Sequence, residues 1–521
     1  KPLKEVEEPS YFFAMSKYQD KLIAHIKANP DFIQPEERRN EVLQRLAVPL
    51  TDLSVSRTTF NWGIPVPDAP GHVMYVWWDA LSNYLSGCDY DVEKTPAENA
   101  AAASGPARFW PASVHLIGKD ISWFHCVIWP TILMSTGIPL PTTVLAHGFV
   151  HGADGRKMSK SLGNVVDPMS VIEGGKNKKA EPPYGADVLR LWVSSVNYAG
   201  DVCIGPGIVK QCFDSYRKLR NTARYLLGNL HDYDPATHAV PHDELPELDR
   251  YMLGLLSEFV ADSKAAYDEY AFSRVFQLLQ QFSVSDLSSF YLDVAKDRLY
   301  ISSADEPRRR SCQTVLAAVL DGLAAVMAPI LPHMAEDVWQ ALPYPSPHVS
   351  VFQAGWPTQT YALQDAESWR ALRACRDAVN KAIEVARNEK AIGASLEAKV
   401  VVHTDDPTLA AALARYSGAS NAVDELKYLL LVSQVEVLPT ADDVTSAASH
   451  SLTSEAPYAA TIGILPAEGT KCERCWHYSP DVGAFSLYPG VCERCATSLT
   501  QMGFPAVGAD EPVAEAPAQA A

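Results

Sequence analysis

Residues 155–167 read Gly-Arg-Lys-Met-Ser-Lys-Ser-Leu-Gly-Asn-Val-Val-Asp, a short loop with two lysines, flanked by glycine and serine, with little bulk to bury. Such a loop suits phosphate. Lys157 and Lys160 carry point charges on flexible stems, and Ser159 and Ser161 add hydroxyl donors that can meet a polyphosphate without fixing its shape. Charge developing on a departing pyrophosphate could be met here; a merely solvated loop is the plain alternative. Residues 144–150 read as a strand delivering the chain into the loop, and an open α/β sheet places its ligands after its strands.

Outward from this point the periodicity divides the chain. Residues 11–50 read as helical, punctuated by Pro30 and Pro35. The runs 73–77 and 114–117 are β-rich and each precedes a helix-like stretch, the alternation of a parallel sheet. Residues 98–105 read as a surface loop, and 122–135 as a helix. Past a lysine-rich loop at 174–183, four segments (208–230, 248–270, 273–294 and 309–327) carry apolar residues at three- and four-residue spacing, which predicts a helical bundle. A smaller domain follows, with a helix over 369–390 and strands at 398–403 and 434–438. Residues 440–456 read as a polar linker and the Ala/Pro-rich end as disordered.

A length of 521 residues calls for several domains, because single cores rarely exceed ~250–300 residues. No 18-residue apolar run and no cleavable signal pattern appears, so no membrane partner and no secretion are expected, and the setting is cytoplasmic or organellar. The first residue is Lys1, and removal of an upstream segment by processing or truncation is expected. The net charge of −18 weighs against a nucleic-acid partner, but local clustering matters more. Lys210, Arg217, Lys218, Arg220 and Arg224 lie at helical spacing. Arg308–Arg310 form a second cluster, and Arg370, Arg373, Arg376, Lys381, Arg387 and Lys390 a third. Each alone reads as a solvated face; three together make an RNA-facing surface the expectation.

Six of the ten cysteines are scattered without a pairing pattern, as expected of reduced thiols. The other four form two identical Cys-Glu-Arg-Cys knuckles, Cys472 with Cys475 and Cys492 with Cys495, sixteen residues apart. That spacing predicts one structural four-cysteine zinc site; disulfides or core cysteines are the alternative.

The Lys-Met-Ser-Lys-Ser string resembles the signature loop of class I aminoacyl-tRNA synthetases, which stabilises ATP during amino-acid adenylation. Residues 1–168 resemble methionyl-tRNA synthetases through Tyr11-Phe12-Phe13, Trp62-Gly63-Ile64-Pro65-Val66-Pro67, Tyr75-Val76-Trp77-Trp78-Asp79-Ala80 and Gly118-Lys119-Asp120-Ile121 with Phe124-His125. By that resemblance Trp77, Ala80, Leu81, Tyr84, Ile121 and His125 line an amino-acid pocket, and Asp120 partners the ATP ribose or substrate polar groups. An aromatic face beside small and aliphatic groups also suits a polarizable thioether. Without the resemblance, Trp77 and Ile121 read as core and His125 as a satisfied buried histidine.

From residue 171 onward the chain resembles isoleucyl-tRNA synthetases, through Val171-Ile172-Glu173-Gly174-Gly175-Lys176-Asn177, Tyr184-Gly185-Ala186-Asp187-Val188-Leu189-Arg190-Leu191-Trp192, Tyr216-Arg217-Lys218-Leu219-Arg220-Asn221-Thr222, Met327-Ala328-Pro329-Ile330-Leu331-Pro332-His333 and the terminal cysteines. The two likenesses meet at 157–168, as expected of a recombined or fused sequence. No His-x-Gly-His string occurs, although class I synthetases use that motif to hold ATP. The large editing insertion of isoleucyl enzymes is likewise missing.

The resemblance implies a multidomain α/β plus α architecture. A partial Rossmann-like catalytic domain spans 1–200, a helical anticodon-binding domain 201–360, and a small α/β tRNA-contact domain 361–440. A linker over 441–465, a zinc module over 466–505 and a tail over 506–521 complete it. It also implies an ATP-dependent aminoacyl-tRNA ligase that uses ATP with Mg, isoleucine or methionine, and tRNA. Lys157 and Lys160 are expected to be the catalytic residues, with Ser159, Ser161 and Asp120 joining them at ATP and Arg217, Lys218, Arg220 and Arg224 facing tRNA. Isoleucine is favoured by the extent of the likeness and methionine by the pocket half. A non-catalytic tRNA-binding fragment and a zinc-dependent module of a larger assembly are the rival readings.

Overall fold

The computed structural model describes residues 7–101, 105–179, 181–417, 425–448, 450–455 and 457–507. They form two compact units, Lys1–Asp167 with Val196–Pro206, and Pro168–Ser195 with Gly207–Ala521. The expected disorder of the tail concerns 508–521, which lie outside the described residues.

The first unit is built on a parallel three-stranded sheet in the order Ile33–Gln34, Thr143–His147, Val114–Gly118. Val144, Leu145 and Ala146 are all buried, as the central strand of a sheet covered on both faces requires. In the edge strand His115 and Ile117 are buried while Leu116 is exposed, the alternation of a half-covered strand. The connection between these strands contains a π-helical turn, Phe124–Ile128, running into the α-helix Trp129–Thr136, which ends at Gly137 in the left-handed region. Leu22, Ile26, Phe32, Trp129 and Leu133 pack with the sheet in one core.

Two expectations in this unit are corrected. The run 73–77 is not a strand of the parallel sheet. Val73–Met74 pairs antiparallel with Ser56–Arg57 in a separate ribbon, and Trp77 lies in the helix Val76–Ser86. Its aromatic residues look β-like, but Trp77, Leu81, Tyr84 and Leu85 recur at helical spacing and share one buried face. The expected loop over 98–105 holds a short helix, Pro96–Ala100, closed by a capping box in which Thr95 and Glu98 satisfy each other's backbone N–H groups. Residues 102–104 lie outside the described residues.

The second unit is mainly helical. Pro206–Asn229, Glu247–Asp268, the continuous run from Phe272 to Ile301, Pro307–Met327 and Ala366–Asn388 are its long elements. Pro307–Met327 is long and apolar enough to cross a membrane, but 78% of that window is buried among the other helices, so it is a core helix. At the heart of the bundle Arg298 donates to both carboxylate oxygens of Asp249 at 2.8 and 2.9 Å, and the Tyr291 hydroxyl donates to the same carboxylate at 2.7 Å. The paired charges satisfy each other where neither meets water.

The polar linker expected over 441–465 is not one. A four-stranded sheet runs in the order Gln434–Val437, Ala398–His403, Thr461–Pro466, His450–Thr453, so two of its strands come from this stretch. Ala441–Ala447 between them is a helix capped by Thr440 and Asp443. The polar residues form the outer surface, while Val444 and Ile462 are buried. The small α/β domain therefore continues to residue 466, and its sheet shares one hydrophobic core with the bundle through Trp369, Val400 and Ile462.

Candidate functional site

The lysine loop lies in the first unit and follows Val150–Gly152, a strand paired in parallel with Val202–Ile204. His151 bridges back to Lys157, forcing a tight turn between them in which Gly155 takes φ +74°. Asp154 closes the turn by accepting from the Arg156 backbone at 3.0 Å and its guanidinium at 2.6 Å. Asn164 then staples the loop: its side-chain oxygen accepts from the Ser159 N–H at 2.9 Å and its amide donates to the Lys157 carbonyl at 3.3 Å. Ser159 and Ser161 hydroxyls lie 3.1 Å apart. The backbone is thus held by Asp154 and Asn164, while Lys157, Lys160 and Ser161 stay exposed. Lys157 and Lys119 both place their ammonium groups over the Phe149 ring, at 4.9 and 4.8 Å. Lys119 is paired with Asp201 at 2.7 Å, and Lys160 makes no ion pair among the described residues.

Asp120 is exposed just past the carboxyl end of the Val114–Gly118 strand, where sheet ligands sit. A Cβ on Gly118 would come within 2.7 Å of the Asp120 carboxylate, so any larger residue there would displace that side chain.

Among the six expected pocket residues, Trp77, Tyr84 and Ile121 pack against one core that includes Leu81, and His125 touches each of those three. Trp77 stacks on Phe124 with ring centroids 3.7 Å apart and stands edge-on to His125 at 6.5 Å. His125 Nδ1–H donates to the Ile121 carbonyl at 3.1 Å, which leaves Nε2 to accept from the Tyr84 hydroxyl at 2.8 Å. Burial pushes the His125 pKa down, so the ring is neutral near pH 7 and this pattern is the one it keeps. Ala80 is half-buried on the same helix as Trp77, whereas Leu81, 1% exposed, faces the core. Two residues without a predicted role join the cluster. Phe124 supplies the stacking face, and His115, 4.4 Å from Tyr84, has a buried Nε2 without a partner and a pKa pushed by burial to about 4. The inward alternation of Val114–Gly118 is the signal that could have located His115.

In the second unit Arg217, Lys218, Arg220 and Arg224 are all exposed on the Pro206–Asn229 helix, and among the described residues only Arg217 of the four forms an ion pair, with Asp214 at 3.3 Å. The second cluster is corrected, and so are two of the six members of the third, whose Arg370, Lys381, Arg387 and Lys390 stay exposed. Arg309 forks onto Asp232 at 2.6 and 2.8 Å, Arg310 binds the Asp232 carbonyl, Gln313 and Asp305, and Arg308 lies over the Tyr428 ring. Arg376 is buried against Asp293, and Arg373 pairs with Asp286. These guanidiniums hold the fold together and offer no RNA surface.

Cys472, Cys475, Cys492 and Cys495 are all buried, with their sulfurs within 4.8 Å of one another. Cys475 and Cys492 sulfurs are 3.7 Å apart. A disulfide needs about 2.0 Å, whereas four thiolates held tetrahedrally at about 2.3 Å from zinc lie about 3.8 Å apart. The Cys492 N–H points at the Cys472 sulfur at 3.4 Å, a donor to a thiolate. The donor set fits zinc and leaves no position open to a substrate. Arg494 fixes the module to the Phe272–Ile301 helical run through Asp297, 2.7 Å on one arm of the fork.

Comparison with known proteins agrees with this layout. Residues 2–195 match the family described as tRNA synthetases class I (M), 249–402 the anticodon-binding domain of tRNA ligase, and 469–497 the zinc finger found in FPG and IleRS. The Mycobacterium tuberculosis methionyl-tRNA synthetase structure bound by methionyl-adenylate is 33% identical and superposes with a TM-score of 0.56, covering 68% of this chain and 69% of that one. The chain belongs to the class I aminoacyl-tRNA synthetases of the Ile/Leu/Met/Val type. Among curated proteins, isoleucine–tRNA ligase of Crocosphaera subtropica is 48% identical over 82% of this chain, and that of Cyanothece sp. 51% identical over 86%. The chain spans about half the length of these relatives, 43% of the first and 52% of the second. The terminal cysteines are a structural zinc site.

Proposed function

We propose that the chain acts in translation as an ATP-dependent isoleucine–tRNA ligase. The observation that carries this reading is 48% identity over 82% of the chain to an isoleucine–tRNA ligase. In the first step the amino-acid carboxylate attacks the α-phosphate of ATP, supplied with its Mg, and pyrophosphate leaves. In the second, a terminal hydroxyl of tRNA attacks the adenylate carbonyl and AMP departs. Lys157 and Lys160, on a loop whose backbone Asn164 already holds, meet the charge growing on pyrophosphate without reorganisation, and Ser159, Ser161 and Asp120 complete the polar contacts. The neutral Tyr84–His125 pair fixes the polar edge of the amino-acid pocket beside the Trp77 and Phe124 rings. A cytoplasmic or organellar setting accords with the cyanobacterial relatives. A second reading, methionine as the amino acid, is favoured by the match of residues 2–195 to the (M) family and by the aromatic walls of the pocket.

The exposed helix face is tested by replacing Arg217, Lys218, Arg220 and Arg224 with alanine and measuring tRNA affinity across a salt series. Each phosphate left without its cation removes about one unit of log–log slope, so binding weakens and the slope flattens by up to about four units. Unchanged affinity and slope would return this face to ordinary solvated helix.

A further inference from the structure

A cavity of about 570 Å³ opens in the second unit between the Pro307–Met327 helix and the segment after Pro332–Gln340. Its walls include four half-buried aromatic side chains, Trp339, Tyr344, Trp356 and Tyr361. At its lining sits one carboxylate, Asp321, whose Oδ1 is buried and has no hydrogen-bond partner among the described residues; the Tyr344 hydroxyl is in the same state. Burial alone pushes the Asp321 pKa to about 6, and the Asp321 charge adds to burial in raising that of the Tyr344 phenol. No lysine or arginine among the described residues lines the cavity. A carboxylate oxygen kept out of water without a partner is costly, and elsewhere in this unit the buried Asp249 is matched by Arg298.

From this arrangement we propose that the cavity binds an organic ammonium ion, the charge paired with Asp321 and the carbon substituents held against the aromatic faces. Ring faces are electron-rich and attract cations, and the nearby carboxylate adds to that attraction. A phosphate-bearing ligand is disfavoured, since His348 is the one side chain with a titratable cation among the described residues that line the cavity, and no lysine or arginine joins it. Neither the proposed ligase chemistry nor the lysine loop involves these residues.

The test is calorimetric titration of the full chain with n-butylammonium, with n-butanol as its uncharged counterpart. Saturable binding of one butylammonium per chain, at least tenfold weaker with butanol, is expected. Asp321→Asn keeps the shape, removes a buried charge and is expected to weaken butylammonium at least tenfold; Trp356→Leu tests the aromatic wall and is expected to weaken it severalfold. Thermal melts of both variants check that the fold persists. Nα-acetyl-lysine methylamide separates two sources of the same chemistry: affinity equal to butylammonium assigns a lysine side chain of a partner protein, and exclusion assigns a free amine, either result upholding the site. No saturable binding by the wild type, equal affinity in Asp321→Asn, or displacement of butylammonium by uncharged cytidine at matched concentration would overturn the proposal, the last in favour of a nucleobase pocket.

Discussion

Replacing Cys475 and Cys495 together with serine is expected to reduce bound zinc from one ion per chain to below about a tenth and to unfold residues 469–497, while the helical bundle stays intact. The module cannot hold itself by burial. Apart from the four cysteines its buried apolar residues are Tyr488, Val491 and Ala496, too few to form a core at this size. Zinc binding contributes on the order of 10–16 kcal/mol in comparable structural sites, so the ion and the fold are lost together. The bundle has a separate core running from Leu191 to Ile464 and does not depend on the metal. Metal analysis after purification under reducing conditions, with hydrogen exchange across 469–497, measures both effects. A stoichiometry near zero in the parent chain, or unaltered protection of the module in the variant, would contradict the assignment.

The second large effect lies in the lysine loop. The 521 residues carry the Lys-Met-Ser-Lys-Ser loop but no His-x-Gly-His string, so they hold one of the two motifs by which the family contacts ATP. Pyrophosphate exchange by the chain itself is therefore expected to be very weak, and joining a nucleotide-fold segment that bears the missing motif is expected to restore it. In that restored protein Lys160→Ala should lower exchange by about 10²–10³, the usual cost of removing one donor aimed at developing charge. Because Asn164, and not Lys160, holds the loop backbone, the loss should fall on the rate and spare stability. Robust exchange without restoration, or a Lys160→Ala change of less than about threefold, would remove the loop from the chemistry.

Local patterns make part of this molecule legible. The lysine loop and the paired cysteines declare themselves by residue type and spacing, and the long helices by their 3.6-residue period. What stays hidden depends on partners distant in sequence. Nothing near Arg309 or Arg376 shows that Asp232 and Asp293 will neutralise them, so both read as surface charge. The polar outer face of Ala441–Ala447 and His450–Thr453 conceals a few buried residues, such as Val444, that place this stretch in a sheet layer. Trp77 misleads for the opposite reason: a cluster of β-favouring aromatics outweighs a helical spacing only about three turns long. At the pocket the resemblance points to His125, but its tautomer follows from two contacts, with Tyr84 and Ile121, that only the fold brings together.

The central claim, a ligase of isoleucine type, is tested most directly by competition between tRNA isoacceptors for the full chain. At fixed salt, labelled isoleucine tRNA is displaced by unlabelled isoleucine or methionine tRNA, so that non-specific phosphate contacts cancel and only discrimination is read. The account predicts that the isoleucine tRNA competes at least tenfold better. Equal competition, or a preference for the methionine tRNA, would contradict it.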